Sequence, residues 1–240
     1  MAMNSYRGKR TPKTRTQQKK PGSAKRANHT KSARARQQKM RYMRAGILIL
    51  AALSILLAVR MIFAQDGRSV SVDASEPEID VQLLDVNPYS RPGIQSDGIN
   101  GIVIHYTANP GSTAQENRDY FNGLQYSQET EASSNFIVGL DGEIIQCVPT
   151  WEVAYASNER NNDTVSIEVC HPSEDGYFTD ETYRSLVQLT AWLCVKFGLT
   201  EESVIRHYDV TGKICPKYFV EHENAWTEFR ENVAAAMART

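Results

Sequence analysis

The sequence predicts an α/β domain at residues 79–240, a mixed central β-sheet flanked by helices, preceded by a disordered basic tail and one transmembrane helix. Three observations carry that prediction. After residue 79, short β-branched runs alternate with segments of helical period, the pattern of a mixed α/β core. Residues 45–59 form an uncharged and almost wholly apolar run. The charge is divided rather than balanced: residues 1–44 carry fifteen Lys/Arg and no acid, whereas all 28 Asp/Glu and only eleven Lys/Arg lie beyond residue 60. The formal net charge of -1 therefore describes neither half.

Residues 1–44 are rich in Lys, Arg, Gln, Ser and Thr. So little apolar surface does not offset the entropy of ordering, and the segment is expected to be disordered. The apolar run from Ala45 to Val59 is interrupted by Arg60 and continued by Met61-Ile62-Phe63-Ala64. As a helix, residues 45–64 reach roughly 30 Å, the thickness of a bilayer core. Arg60 falls near the outer end, where its long stem reaches the interface. Basic flanks stay in the cytoplasm, so a single-pass protein is expected, with its N-terminus inside and residues after 65 outside the cell membrane. A cleaved signal peptide fits less well. The charged region is too long, and Ile62-Phe63-Ala64 lacks the small-residue spacing of a cleavage site. Residues 65–78 read as a polar linker.

The domain opens with alternating apolar character over Ile79–Leu84 and a turn-rich stretch from Asn87 to Gly93. Gly101-Ile102-Val103-Ile104-His105 reads as a buried strand, broken by Asn109-Pro110-Gly111. Ser112 with Gln115 three residues on predicts a capping box and a helix to about Leu124. Two β-rich runs, 135–140 and 143–148, flank Asp141-Gly142, a hairpin signal, and a loop over 151–162 follows. From Thr164 to Cys170 the alternation puts Val165, Ile167 and Val169 on one face, and Ser166, Glu168 and Cys170 on the other. Asp180 is the expected cap of a helix over 181–197, with Gly198 at its C′ position. Val204–His207 reads as a strand, and a last helix from about Glu221 turns Ala225, Trp226, Phe229 and Val233 inward. Cys147, Cys170 and Cys194 lie in apolar runs and read as buried thiols, with a Cys170–Cys194 disulfide left open.

The chemistry concentrates in Arg206-His207-Tyr208-Asp209-Val210-Thr211-Gly212-Lys213-Ile214-Cys215-Pro216, where an imidazole, a cation and a thiol share one short loop. About a hundred residues upstream, the first buried strand stops on His105. His105, His207 and Cys215 are zinc-type ligands, and three protein ligands leave a position for water, as catalytic rather than structural sites do.

Three segments then resemble a known family in content and order: Val-Ile-His-Tyr-Thr at 103–107, Ser-Ile-Glu-Val at 166–169 and His-Tyr-Asp-Val-Thr-Gly-Lys-Ile-Cys-Pro at 207–216. They are similar to the type 2 N-acetylmuramoyl-L-alanine amidases, which include the peptidoglycan recognition proteins and the phage lysozyme-amidases. The resemblance spans roughly residues 85–235. It implies a type 2 amidase-like sheet and one Zn²⁺ on His105, His207 and Cys215. It implies Glu168 as general base and Lys213 as the cation facing the oxyanion. The implied substrate bond is the amide between N-acetylmuramic acid and the L-alanine of the stem peptide. Thr107, Asn109, Asn135 and Ser157 are expected in the substrate groove.

The chain departs from the family in two places. Ser134 stands where some relatives carry a tyrosine, and Tyr155 where a histidine is common. His171 and His222 read as surface or capping residues. Two other function classes remain open to the sequence: a non-catalytic peptidoglycan-binding or sensor module on the same fold, and a thiol peptidase built on Cys215 and His207. Retention of Cys215, Lys213 and Glu168 speaks for hydrolysis. The expected partners are peptidoglycan and, through residues 45–64, the cytoplasmic membrane. A monomer is expected, and no nucleic acid, because an acidic exported domain repels phosphates.

Overall fold

The computed structural model describes residues 36–52, 54–55 and 68–239, which fall into two compact units divided between residues 66 and 67. In the first unit the described residues are helical. Residues 36–44, expected to be disordered, are therefore helical instead, in keeping with their content of Arg, Gln, Lys and Met, all good helix formers. The rest of the basic tail, half of the span expected at 45–64 (residues 53 and 56–64) and linker residues 65–67 lie outside the described residues. Among the described residues no helix is long and apolar enough to cross a membrane.

In the second unit the β-branched runs form the strands that their composition demands. They are β1 (Asp80–Val81), β2 (Gly101–Ile104), β3 (Phe136–Val138), β4 (Ile144–Gln146), β5 (Thr164–Val169) and β6 (Val204–Arg206). They make one sheet in the order β1-β4-β3-β5-β2-β6. Only the β3–β4 pair is antiparallel, and it is the hairpin turned at Asp141-Gly142. Gly142 has φ +84, and a Cβ there would sit 2.9 Å from the Glu181 carbonyl oxygen, so the turn needs glycine for its dihedral and for its packing.

Five helices complete the unit: α1 (Ala114–Ser127), α2 (Asp180–Phe197), α3 (His207–Thr211), α4 (Lys217–Glu221) and α5 (Glu223–Met237). Helix α1 starts one residue later than expected. Its capping box is Thr113 with Glu116, because the Ser112 hydroxyl is taken up by the Asn109 carbonyl and the Asn117 amide. Thr179 rather than Asp180 caps α2, accepting from the Thr182 N–H, and Gly198 ends it at φ 66 as expected. The last helix is broken at His222, whose extended φ of -128° separates α4 from α5.

Alternation along the strands sorts the core into two sides. Ile102, Ile104, Val165, Ile167 and Val169 face α2 and α5, where Leu186, Leu189, Phe229 and Val233 are fully buried. On the other side α1 covers β3 and β4 with Phe121 and Leu124 against Ile137, Ile145 and Cys147. All four cysteines are free thiols, so the Cys170–Cys194 pair is not formed.

Residues 68–75, expected to be part of a free linker, are instead docked on the domain. Arg68 lies between the Tyr177 and Tyr183 rings and pairs with Asp180. The Asn232 amide donates to the Arg68 carbonyl, and Arg239 donates to the carbonyls of Val70 and Val72. Ala74 is buried, and Val70 and Val72 pack on the main core. Their alternating Val-Ser-Val pattern supplies apolar contacts too few to announce themselves in the sequence.

Candidate active site

The register of the parallel sheet builds the site. Ile104 of β2 pairs with Ile167 of β5 and with Arg206 of β6. The residues that follow these three are His105, just past β2, Glu168 on β5 and His207 at the start of α3, so the three side chains arrive at one level on the side of the sheet that α1 leaves open. Cys215 joins them through the following loop. Asp209 accepts from the Arg206 N–H at 2.8 Å and receives both Nε and Nη2 of the Arg206 guanidinium, which starts the one-turn helix α3 at His207. Gly212 ends it at φ 79, and the Tyr208 N–H donates to the Cys215 carbonyl at 2.9 Å. That bond folds the loop back and sets Cys215 beside the histidines.

The ligand atoms of His105, His207 and Cys215 all lie within 4.8 Å of one another, and all three residues are buried. Cys215 Sγ is 3.8 Å from His105 Nδ1. The other nitrogen of each ring is held by one loop: His105 Nε2 lies 3.1 Å from Ser157 Oγ, and His207 Nε2 lies 2.9 Å from Asn158 Oδ1. His207 Nδ1 is a buried atom with no partner, next to the sulfur and the first imidazole. Burial, with the Lys213 charge behind it, holds His207 below its ordinary pKa. Burial, then the His207 and Lys213 charges, hold His105 well below it. Both rings are neutral near pH 7, with lone pairs free for a cation. Burial and the nearby Glu168 push the Cys215 thiol up to about 12, so a thiolate forms here only against a positive ion. Two neutral imidazoles, a thiol that needs a cation and an unpartnered nitrogen fit a metal of zinc type. Ligands of a tetrahedral zinc stand roughly 3.3–3.8 Å apart, and the Cys215 Sγ–His105 Nδ1 separation matches that spacing. The same thiol argues against a thiol peptidase, which requires a thiolate at neutral pH.

The cluster lies in an open groove of about 360 Å³, lined also by Thr107, Glu168 and Lys213. Burial drives the Glu168 carboxyl up to about 8 against the opposing charge of Lys213, and its Oε2 is enclosed without a partner. Ser134, at the family's tyrosine position, is wholly buried, and its hydroxyl accepts from the Glu168 N–H. It fixes the backbone of Glu168 and offers the groove nothing. Tyr155 lines the groove.

The residues expected to bind substrate separate into three kinds. Thr107 lines the groove with its Oγ1 enclosed and unpartnered. Ser157 is buried behind His105. Asn109 and Asn135 are not groove residues. Asn109 is exposed and its carbonyl closes the turn to Ser112. The Asn135 amide is spent inside the fold, accepting from the Ser166 N–H and donating to the Pro149 carbonyl. His171 is not on the surface either: it is 1% exposed and lies 5.1 Å from the Tyr106 ring, with Nδ1 against the Ser173 carbonyl. His222 is exposed at the junction of α4 and α5. Sequence reasoning missed Asn158. The one available signal was the polar run Ser157-Asn158 and Asn161-Asn162 in a loop leading to the Glu168 strand.

Residues 95–218 match the family model described as N-acetylmuramoyl-L-alanine amidase, Amidase_2. The chain belongs to the N-acetylmuramoyl-L-alanine amidase family. Among family members, the N-acetylmuramoyl-L-alanine amidase CwlL of Bacillus licheniformis is 38% identical over 163 residues, covering 63% of this chain and 45% of the relative. A probable N-acetylmuramoyl-L-alanine amidase of the same organism is 36% identical over 169 residues, covering 65% and 47%. The chain thus spans less than half the length of these relatives. The fold is shared with the solved structure of PlyL (TM-score 0.57, 23% identity, 67% of this chain and 99% of that one) and with the catalytic domain of XlyA (0.56, 24%, 65% and 99%). The motifs at His105, Glu168, His207 and Cys215 all lie inside the span that matches the amidase family.

Proposed function

We propose that this chain is a zinc-dependent amidase that hydrolyses the bond between the lactyl group of N-acetylmuramic acid and the L-alanine of the peptidoglycan stem peptide. The observation that carries this reading is the convergence of His105, His207 and Cys215 beside the buried, unpartnered Glu168 oxygen in one groove. His105, His207 and Cys215 would hold the ion. When bound, zinc supplies a Lewis acid that polarises a carbonyl and makes water a better nucleophile near neutral pH. Glu168 takes the proton of the attacking water and returns it to the leaving amine of L-alanine; the cation beside it would favour the ionised form that a base requires. Lys213 is exposed at the groove rim, where its ammonium faces negative charge growing on the carbonyl oxygen. The Ser134 hydroxyl, bonded to the Glu168 N–H, keeps the base in register with His105.

The apolar run at 45–64 with its basic flank supports the further reading that the domain is anchored outside the membrane, where the wall lies. The full chain is expected to bind about one zinc, as a three-ligand catalytic site does. It is also expected to release intact stem peptides from purified peptidoglycan, detected by mass spectrometry. Products cleaved within the peptide or the glycan, or an absence of product from zinc-loaded protein, would overturn the assignment.

A further inference from the structure

The loop 156–161 touches both histidines and belongs to neither of their strands. Ser157 and Asn158 are consecutive, and each places one oxygen on the Nε2 of a different ring, at 3.1 Å from His105 and 2.9 Å from His207. An Asn Oδ1 only accepts, so the His207 Nε2 must carry the proton and its Nδ1 must carry the lone pair. That Nδ1 is the buried atom without a partner. The His105 ring presents Nδ1 to Cys215 Sγ, with Nε2 on Ser157. The loop is held by its own contacts. Asn158 sits at φ 54, a left-handed conformation that Asn tolerates and most residues do not. Asn161 Oδ1 accepts from both the Ala156 and Ser157 N–H groups, at 3.1 and 2.6 Å. Arg160 is paired with Asp163, and its carbonyl receives the Thr164 hydroxyl at 2.6 Å, which ties the loop to the start of β5.

We infer that Ser157 and Asn158, braced by Asn161, are positioning residues: Asn158 locks His207 as the Nε2–H tautomer and Ser157 holds the His105 ring by its Nε2, so that both Nδ1 atoms converge with Cys215 on one cation. The inference rests on the metal reading of the site and adds the device that sets which nitrogens bind. Partners of a ligand's second nitrogen orient the ring and raise its basicity, and their loss typically weakens metal binding about 10–100-fold.

The test is zinc affinity of the full chain, measured by competition with a chromophoric chelator. Asn158→Gly keeps the left-handed backbone and removes the acceptor, and its zinc Kd should rise about 10–100-fold. Asn158→Asp keeps an acceptor oxygen and should bind zinc at least as tightly as the native chain. Asn161→Ala touches neither ring and should weaken zinc through the loosened loop. Near-UV circular dichroism of the metal-free proteins checks that each variant stays folded. An unchanged Kd in Asn158→Gly overturns the inference, as does an Asn158→Asp variant that is folded and as weak as Asn158→Gly. Failure of the native chain to bind zinc would instead remove the metal reading on which it rests.

Discussion

The buried Glu168 carboxyl ties the stability of the metal-free domain to pH in a direction that can be worked out. Burial raises it from 4.5 to about 8, with Lys213 opposing. Between these values the folded chain keeps a proton that the unfolded chain has released. The contribution is whole below about pH 4.5 and is lost as pH rises through 8. At about 1.4 kcal/mol per pH unit, the full loss is roughly 5 kcal/mol. Glu168→Gln keeps the shape of the side chain and has no proton to lose. Urea unfolding of the two proteins in chelator, from pH 5 to pH 8, should therefore show the variant gaining on the native chain, with a slope approaching about 1.4 kcal/mol per unit. The two histidines add an opposite trend, since they are held neutral in the fold and must charge below their ordinary range. To first order that trend is common to both proteins and cancels in the difference. Zinc should flatten the slope, because a cation beside the carboxylate favours its charged form. Parallel stability curves for the native chain and the variant in chelator would refute the burial argument. The same substitution should lower turnover on peptidoglycan by about 10²–10⁴-fold, the range for loss of a general base.

Two further outcomes follow from the site. Lys213→Met should reduce kcat about 10²–10³-fold with little change in KM, because its charge is used only as the oxyanion grows; a change confined to KM would make it a ground-state binding residue. Cys215, with its thiol pushed up to about 12, should react slowly with iodoacetamide at pH 8 in the metal-free protein, and more slowly still with zinc bound. Fast alkylation that zinc does not prevent would restore the thiol-peptidase reading.

The residue types of the site were legible in the sequence because chemistry dictates them: two imidazoles, a thiol, a carboxylate and an ammonium in family-like segments. The sheet was legible for a similar reason, since β-branched runs and Asp141-Gly142 are local signals, and so was the inward face of Val165, Ile167 and Val169. Asn135 and Ser112 misled because a polar side chain looks the same in sequence whether it faces a groove or satisfies buried backbone. The spacer over 68–75 misled because its docking depends on Asn232, Tyr183 and Arg239, more than a hundred residues away. From the sequence alone it followed that zinc-type ligands stand in two family-like segments of a domain with α/β patterning. Which atoms meet was decided by the tertiary structure. The pairing of Ile104 with Ile167 and Arg206 sets His105, Glu168 and His207 side by side, and the Tyr208–Cys215 backbone bond brings in the sulfur. The Asn158 contact fixes which nitrogen of His207 is left free. Alternation along a strand settles which face each side chain takes. Which residues of β2, β5 and β6 lie side by side is a relation between segments far apart in the chain, decided by how the whole domain packs.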